Sequence, residues 1–361
     1  MLLNNKIYIK SWQFLLLFCL LSILTSCQDN EWISEQGEPV ITEISPETTF
    51  FGDTLTIYGE NLGDRGLNSF IVLSDSINQE IVHSTDCINW TISKVVFVLP
   101  NFSAEEVQLV CNSVNTNKLF IEVSRLPALE TVEIPIGNFN MGSLFGLKDE
   151  FPVHTITISK PIIASKFEIN QFYYSQVMKT NPSMIKDYRL PVDSITWIKA
   201  IQFCNELSQI QELKPVYTIF GENVKFDTTA NGWRLPTEAE WEYMCKAHDT
   251  TNYFTNEDLS KLGWFIMNSG LKSHPSGQKS PNAFGLYDMQ GNLWEWCWDF
   301  YNSDYYGISP VQNPLGPISG ERHVARGGGY DSGNSLCRAS NRFYPSNPIQ
   351  STGIRIVRTK F

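Results

Sequence analysis

The sequence predicts a multidomain protein, with an all-β sandwich ahead of a domain of short helices set among long irregular stretches. Three observations predict it. From Pro39 to about Val123, short runs alternate apolar and polar residues with turn residues between them, the period-two mark of strands with one buried face. Beyond Leu126-Pro127-Ala128 the texture changes to tryptophans, glycines and brief helical patterns. The 361 residues, 42% hydrophobic and 13% aromatic, are enough for two cores. The expected boundaries are residues 1–27 for a leader, 28–38 for a linker, 39–124 for the first domain and 130–361 for the second.

Lys6 and Lys10 precede an apolar run from Trp12 to Leu24, too short to remain as a spanning helix, so the segment reads as a signal peptide. Leu24-Thr25-Ser26-Cys27 closes it and resembles a lipobox, which implies acylation of Cys27 and cleavage just before it. The alternative is an ordinary secretion signal with an incidental cysteine. An acylated terminus anchors through the transfer of its methylenes into lipid. Gln28, Asp29, Asn30 and Glu31 follow, resembling the acidic surface-export signal of some bacteria with two membranes. The expected location is the cell envelope, on the outer or cytoplasmic membrane through the lipid.

A net charge of -11, from 27 basic and 38 acidic residues, gives no electrostatic footprint for nucleic acid or anionic lipid. Of eight cysteines, Cys19 leaves with the leader and Cys27 carries the lipid. Cys87, Cys111, Cys204, Cys245, Cys297 and Cys337 remain where disulfides are permitted. None sits in a CxxC pair, so structural zinc is not expected.

In the first domain, Leu55 and Ile57 alternate with Thr54, Thr56 and Tyr58 after a Gly52-Asp53 turn. Val95, Phe97 and Leu99 repeat the pattern, as do Val107, Leu109 and Cys111, and then Leu119, Ile121 and Val123. Short strands at this spacing argue an antiparallel sandwich. Ile44-Ser45-Pro46, Gly52 and Gly59-Glu60-Asn61-Leu62-Gly63 resemble the immunoglobulin-like IPT/TIG modules, which implies a spacer or binding platform. His83 and Asp86 read as surface loop residues.

In the second domain, Thr237-Glu238-Ala239-Glu240 is a capping box, so a helix should start there, with Trp241, Met244, Cys245 and His248 as its inward stripe. Trp197, Ala200, Ile201, Cys204 and Leu207 form a second stripe, and Asn170 can cap a shorter helix through Val177. Cys204 and Cys245 are then buried, unreactive thiols.

The segments IPIGNFNMGS, FPVHTITISKPIIASKFEINQFYY, RLPTEAEWEY, PNAFGLYDMQGNLWEWCWDF, VARGGGYDSGNSLCRASNR and GIRIVR form an ordered series from about Val132 to Arg358. That series resembles the formylglycine-generating, or sulfatase-modifying factor, family. The resemblance implies an α+β fold with little regular secondary structure, related to the C-type lectin architecture. It also implies oxidation of a sulfatase cysteine to formylglycine by oxygen and a copper(I) ion held by two thiolates, a soft donor pair that suits the ion.

Carried onto this chain, the family's first active cysteine falls on Ser332 and the second on Cys337. A serine hydroxyl is a hard, protonated donor, so copper and formylglycine synthesis are not expected. Cys297, after Trp294-Glu295-Trp296, could face Cys337 as an alternative thiolate pair, or the two could form a disulfide or remain buried thiols. Trp296, Tyr330, Arg338 and Cys297 are the expected pocket residues, with Arg342 after the same loop. Arg355 reads as a clamp on irregular loops.

The resemblance further implies a calcium site at Asn292 and Glu295, with Gln290 able to offer its carbonyl. Two side chains fall short of the several oxygens calcium takes, and both could instead bond a turn's backbone. A second such site would lie between Gly263 and Ser280, without placeable ligands. His154 and His274 have no second histidine at ligand spacing. Three functions compete: a non-catalytic envelope binding or assembly component, which is preferred; a divergent formylglycine-generating oxidase, which the missing cysteine disfavours; and a lectin-like receptor for a glycan or peptide, which the acidic charge and anchor suit as well as the first.

Overall fold

The computed structural model describes residues 37–46, 48–50, 53–100, 104–124, 126–221, 223–248, 256–346 and 350–361. The leader, Cys27, the acidic stretch and Gly52 of the expected turn lie outside these residues, as does the side chain of Val123. The chain divides into two compact units between Arg125 and Leu126.

The first unit holds β1 (Val40–Ser45), β2 (Thr48–Phe50), β3 (Thr54–Glu60), β4 (Phe70–Ser74), β5 (Gln79–His83), β6 (Asn89–Thr91), β7 (Lys94–Val98), β8 (Ala104–Cys111) and β9 (Val114–Ser124). One sheet runs β1-β3-β7-β6 and the other β2-β9-β8-β4-β5. All pairings are antiparallel except β2 with β9. The expected alternation places Leu55, Ile57, Val95 and Phe97 of one sheet in a single core with Ile71, Leu73, Val107, Leu109 and Ile121 of the other. Leu119 is only half buried against that core. Cys87 and Cys111 are free in it, their thiols pushed by burial to about 11 and about 12. His83 and Asp86 are exposed.

The second unit holds β10 (Thr131–Ile134), β11 (Gly137–Met141), β12 (His154–Ile158), β13 (Ile162–Ser165), α1 (Gln171–Met178), α2 (Trp197–Ile210), β14 (Tyr217–Phe220), β15 (Asn223–Phe226), α3 (Glu238–Lys246), α4 (Asn256–Leu262), β16 (Trp294–Phe300), β17 (His323–Arg326), β18 (Thr352–Gly353) and β19 (Val357–Thr359). Its strands form only two- and three-stranded sheets, among them β10-β13-β19 and β17-β16-β18. This is an α+β unit in which much of the chain is loop.

The helix starts follow local chemistry. Asn170 Oδ1 accepts from the Tyr173 amide and Thr196 Oγ1 from the Lys199 amide. The Thr237 box is complete, with Glu240 N donating to Thr237 Oγ1 and Thr237 N to Glu240 Oε2. One expectation is corrected. α3 is buried on nearly every side rather than along one stripe, and it stops at Lys246, leaving His248 exposed with a left-handed φ of 71°. It can be buried all round because Glu238 and Glu242 are neutralised inside the core.

The neutralising groups are arginines. Arg326, fully buried, pairs with Glu242 and with Glu238 at 3.1 Å, and Arg342 bonds Glu238 through Nε and Nη2 at 2.7 and 2.9 Å. Arg338 grips Glu150 through both Nη atoms, at 2.7 and 2.6 Å. Arg355 reaches Glu295 and also donates to the carbonyls of Ser165, Lys166 and Tyr287. A planar guanidinium matches this task because it can satisfy a carboxylate and several carbonyls together.

Among the described residues other buried carboxyls, Glu168 and Asp288 included, have no arginine bonded to them. Glu168 accepts from Asn292 Nδ2, Ser276 Oγ and the Leu293 amide, and burial followed by the nearby Asp288 raises its pKa. Asp288 accepts from the Gly277 amide at 2.7 Å through one oxygen, while its other oxygen has no partner, and burial pushes it up to about 6.

Three outcomes are expected. Glu242→Gln leaves Arg326 short of a buried counter-charge and should cost about 3–5 kcal/mol in urea unfolding, whereas breaking the exposed Lys118–Glu106 bridge with Lys118→Ala should cost at most about 1 kcal/mol. Thr237→Ala should cost about 1 kcal/mol. Asp288 binds a proton more tightly folded than unfolded, so its contribution to stability is present below about pH 4 and lost as pH rises to about 6. Asp288→Asn, which tolerates the left-handed φ of 57° there, should therefore exceed the parent's stability by about 1–3 kcal/mol at pH 8 and match it near pH 4.

Candidate functional site

The loop expected to carry the active pair leaves β17 through Gly327 and Gly328, with φ of 101° and 80°. A Cβ on Gly328 would stand 2.5 Å from Cys337 Sγ, so only glycine lets the loop fold back on itself this closely. Tyr330, half buried, is tied at both ends: its amide donates to the Asn292 carbonyl at 2.7 Å and its carbonyl accepts from Ser269 Oγ at 2.6 Å.

Ser332 and Cys337 both turn inward. Ser332 is 5% exposed, its Oγ accepts from the Gly329 amide at 2.9 Å, and its own amide returns a bond of 2.9 Å to the Gly329 carbonyl. The hydroxyl closes a local turn. Cys337 is 1% exposed at the end of a 3-10 turn over Asn334–Cys337, packed with Leu259 and Phe265. Burial, then the charge of Asp331, pushes its thiol up to about 12, so it is protonated at neutral pH.

The other expected pocket residues are placed differently from the sequence reading. Cys297 lies fully buried in β16, in a separate apolar cluster with Val324 and Met289, and neither it nor Cys337 is in a disulfide. Of the alternatives for the two, buried thiols is the arrangement present, because each sits in its own apolar cluster. Trp296 is a core side chain whose Nε1 donates to the Ile195 carbonyl at 2.8 Å. Arg338 does not border Tyr330 with a free guanidinium but is spent on Glu150.

Asn292 and Glu295 are likewise engaged by protein. Asn292 Oδ1 accepts from the His274 amide at 3.0 Å, and its Nδ2 donates to Glu168. Glu295 accepts from Arg355 and, at 2.7 Å, from Trp241 Nε1. Gln290 uses Nε2 to hold the Cys337 carbonyl at 3.2 Å. Calcium needs several uncommitted oxygens, and this set, with its one carboxylate neutralised by arginine, does not fit the ion. Among the described residues no group of three or more His, Cys, Asp or Glu is placed to hold a metal. Between Gly263 and Ser280, organisation comes from aromatics: Trp264 stacks on His274 at 3.8 Å, with Lys279 Nζ 3.7 Å from its ring centre.

Beside the loop, whose own exposed residues are Asp331, Ser335 and Leu336, the segment after Gly263 presents apolar side chains. Ile266, whose amide donates to the Ser332 carbonyl, is followed by Met267 at 70% exposure and by Leu271 at 64%. Met184, 65% exposed, has its amide on Asp193, whose charge is felt by Tyr330. Sequence reasoning missed this rim, and also Glu168 and Glu150, because each is defined by a partner remote in the chain.

Comparison with known proteins agrees with this architecture. The family model of the sulfatase-modifying factor enzyme 1-like domain matches residues 116–360, and that of the IPT/TIG domain residues 39–123. The chain is similar to the chaperone protein LppX of Paenibacillus barcinonensis, 32% identical over 250 residues that cover 59% of this chain and 85% of that protein. It is 36% identical to the formylglycine-generating enzyme of Streptomyces coelicolor over 121 residues, covering 29% of this chain and 38% of that enzyme. Among solved structures it is similar to Treponema denticola variable protein 1, with a TM-score of 0.60 and 30% identity, covering 64% of this chain and 95% of that one. With the loop geometry and the matched span together, the chain belongs to the family of the sulfatase-modifying factor enzyme 1-like domain and carries an IPT/TIG domain ahead of it.

Proposed function

We propose that the protein is a non-catalytic binding and assembly component of the cell envelope, anchored by lipid on Cys27, whose partner is an exported polypeptide with exposed apolar segments. One observation carries the reading. Where the family chemistry needs two available thiolates, this loop offers a serine whose hydroxyl serves its own turn and a thiol held protonated in an apolar cluster. Copper(I) is a soft ion, and such a pair gives it no purchase.

The exposed apolar residues Ile266, Met267 and Leu271 of one segment support the partner's chemistry, because methionine adapts to varied apolar surfaces. The similarity to a protein named as a chaperone is consistent with it. The net charge of -11 leaves nucleic acid an unsuitable partner.

Two measurements test this. The purified protein is incubated with copper and a peptide bearing a sulfatase-type cysteine motif, and the peptide mass is followed. No loss of the thiol is expected, and conversion that disappears in Cys337→Ala would overturn the reading in favour of a divergent oxidase. In cells, Cys27→Ala should move the protein from the membrane to the soluble fraction, and retention in the membrane would remove the anchor.

A further inference from the structure

A concave site that neither Ser332 nor Cys337 lines goes beyond the function just proposed. It is a cleft of about 720 Å³ between the turn at residues 147–149 and the segments carrying Tyr301 and Tyr344, a volume suited to a small ligand. We infer that this cleft binds an uncharged glycan chain, with the Tyr301–Tyr344 stack as its wall and Asn341 as an acceptor in its lining.

The wall is pre-organised. The two rings stack with centroids 3.6 Å apart and planes 19° apart. The Tyr301 hydroxyl donates to Asp149 Oδ2 at 2.9 Å, and the Arg342 guanidinium lies 4.9 Å from its ring centre. Arg322 stands 5.9 Å from the Tyr344 ring on the solvent side. Little side-chain freedom is left for a ligand to freeze, which favours binding.

Asn341 supplies the second, independent observation. It is 2% exposed, lines the cleft, and its Oδ1 has no hydrogen-bond partner. Its main chain is fixed beside the cleft, the amide donating to the Arg338 carbonyl at 3.0 Å and the carbonyl accepting from Arg326 Nη1 at 2.8 Å. Buried acceptors are satisfied in nearly all proteins, so an orphan on a residue that lines a cleft marks where a donor from outside belongs.

A sugar supplies both needs at once, hydroxyl or amide donors for Asn341 and a flat C–H face for the aromatic wall. The cleft mixes Lys148 and Arg322 with Asp149 and Asp304, and its remaining cation, Arg342, is already paired with Glu238, so neither an anionic nor a cationic chain is selected. A peptide that binds by adding a strand would call for an open strand edge, whereas this lining is made of side chains from separate loops.

The test titrates the purified full chain with cellotetraose and with tetra-N-acetylchitotetraose by calorimetry. At least one is expected to bind with Kd below about 1 mM, and Tyr344→Ala and Asn341→Ala should each weaken it at least about tenfold. Should Asn341→Ala fail to fold, Tyr344→Ala, at a half-buried ring, still decides the matter. Met267→Asp should leave glycan binding unchanged, which separates this site from the apolar rim. No binding of either saccharide, binding indifferent to Tyr344→Ala, or displacement of the sugar by an unfolded peptide would overturn the inference.

Discussion

The second unit depends on burying complete ion pairs. With sheets of only two or three strands, it lacks the long ladders that ordinarily absorb backbone polarity, and its loops must find other partners. Arg326, Arg338, Arg342 and Arg355 provide them, each placed against a glutamate and most also against loop carbonyls. Desolvating such charges is costly, and the cost is offset by setting each guanidinium against a carboxylate and further acceptors, with Arg326 Nε alone of its nitrogens near Glu238 at 3.1 Å without a directed hydrogen bond. The same arrangement lets α3 run through the core with two glutamates on it, bringing β11, β16 and β17 around one helix.

This scaffold explains why the family loop can survive a change of chemistry. Gly327 and Gly328 set its path, Asn292 and Ser269 hold Tyr330, and Gln290 holds the Cys337 carbonyl. None of these contacts needs a metal or a second thiol. Ser332 fits because a hydroxyl accepts a backbone amide where a thiol would be a weaker acceptor. The substitution therefore leaves the shape of the loop in place while removing one of the donors the oxidase needs.

Much of the architecture was legible because it is local. The sandwich shows itself in the alternation around Leu55, Phe97 and Leu109, and the helix starts in Asn170 and Thr237, since period and cap depend on residues a few positions apart. The ordered motifs identified the second domain for the same reason. The site was read less well. Glu150, the partner of Arg338, lies 188 positions away, and Glu168, the partner of Asn292, lies 124 away. Arginine in a motif announces that a carboxylate is wanted without saying which. His248 was misplaced because a helical stripe does not reveal where the helix stops, and Ala247 and His248 turn left-handed.

The place of Arg355 in the chain carries a consequence for biogenesis. It sits six positions before the C-terminal Phe361 yet reaches Glu295 and carbonyls contributed by residues 165, 166 and 287. A ribosome-bound or partly threaded chain lacks that closing residue until long after its partners Tyr287 and Glu295 have emerged. The sandwich, whose strands all precede residue 125, can settle early, while the larger unit must wait for its tail and gain its order late. Loss of Arg355 would thus be felt at once in β16, at the end of β13 and around Tyr287.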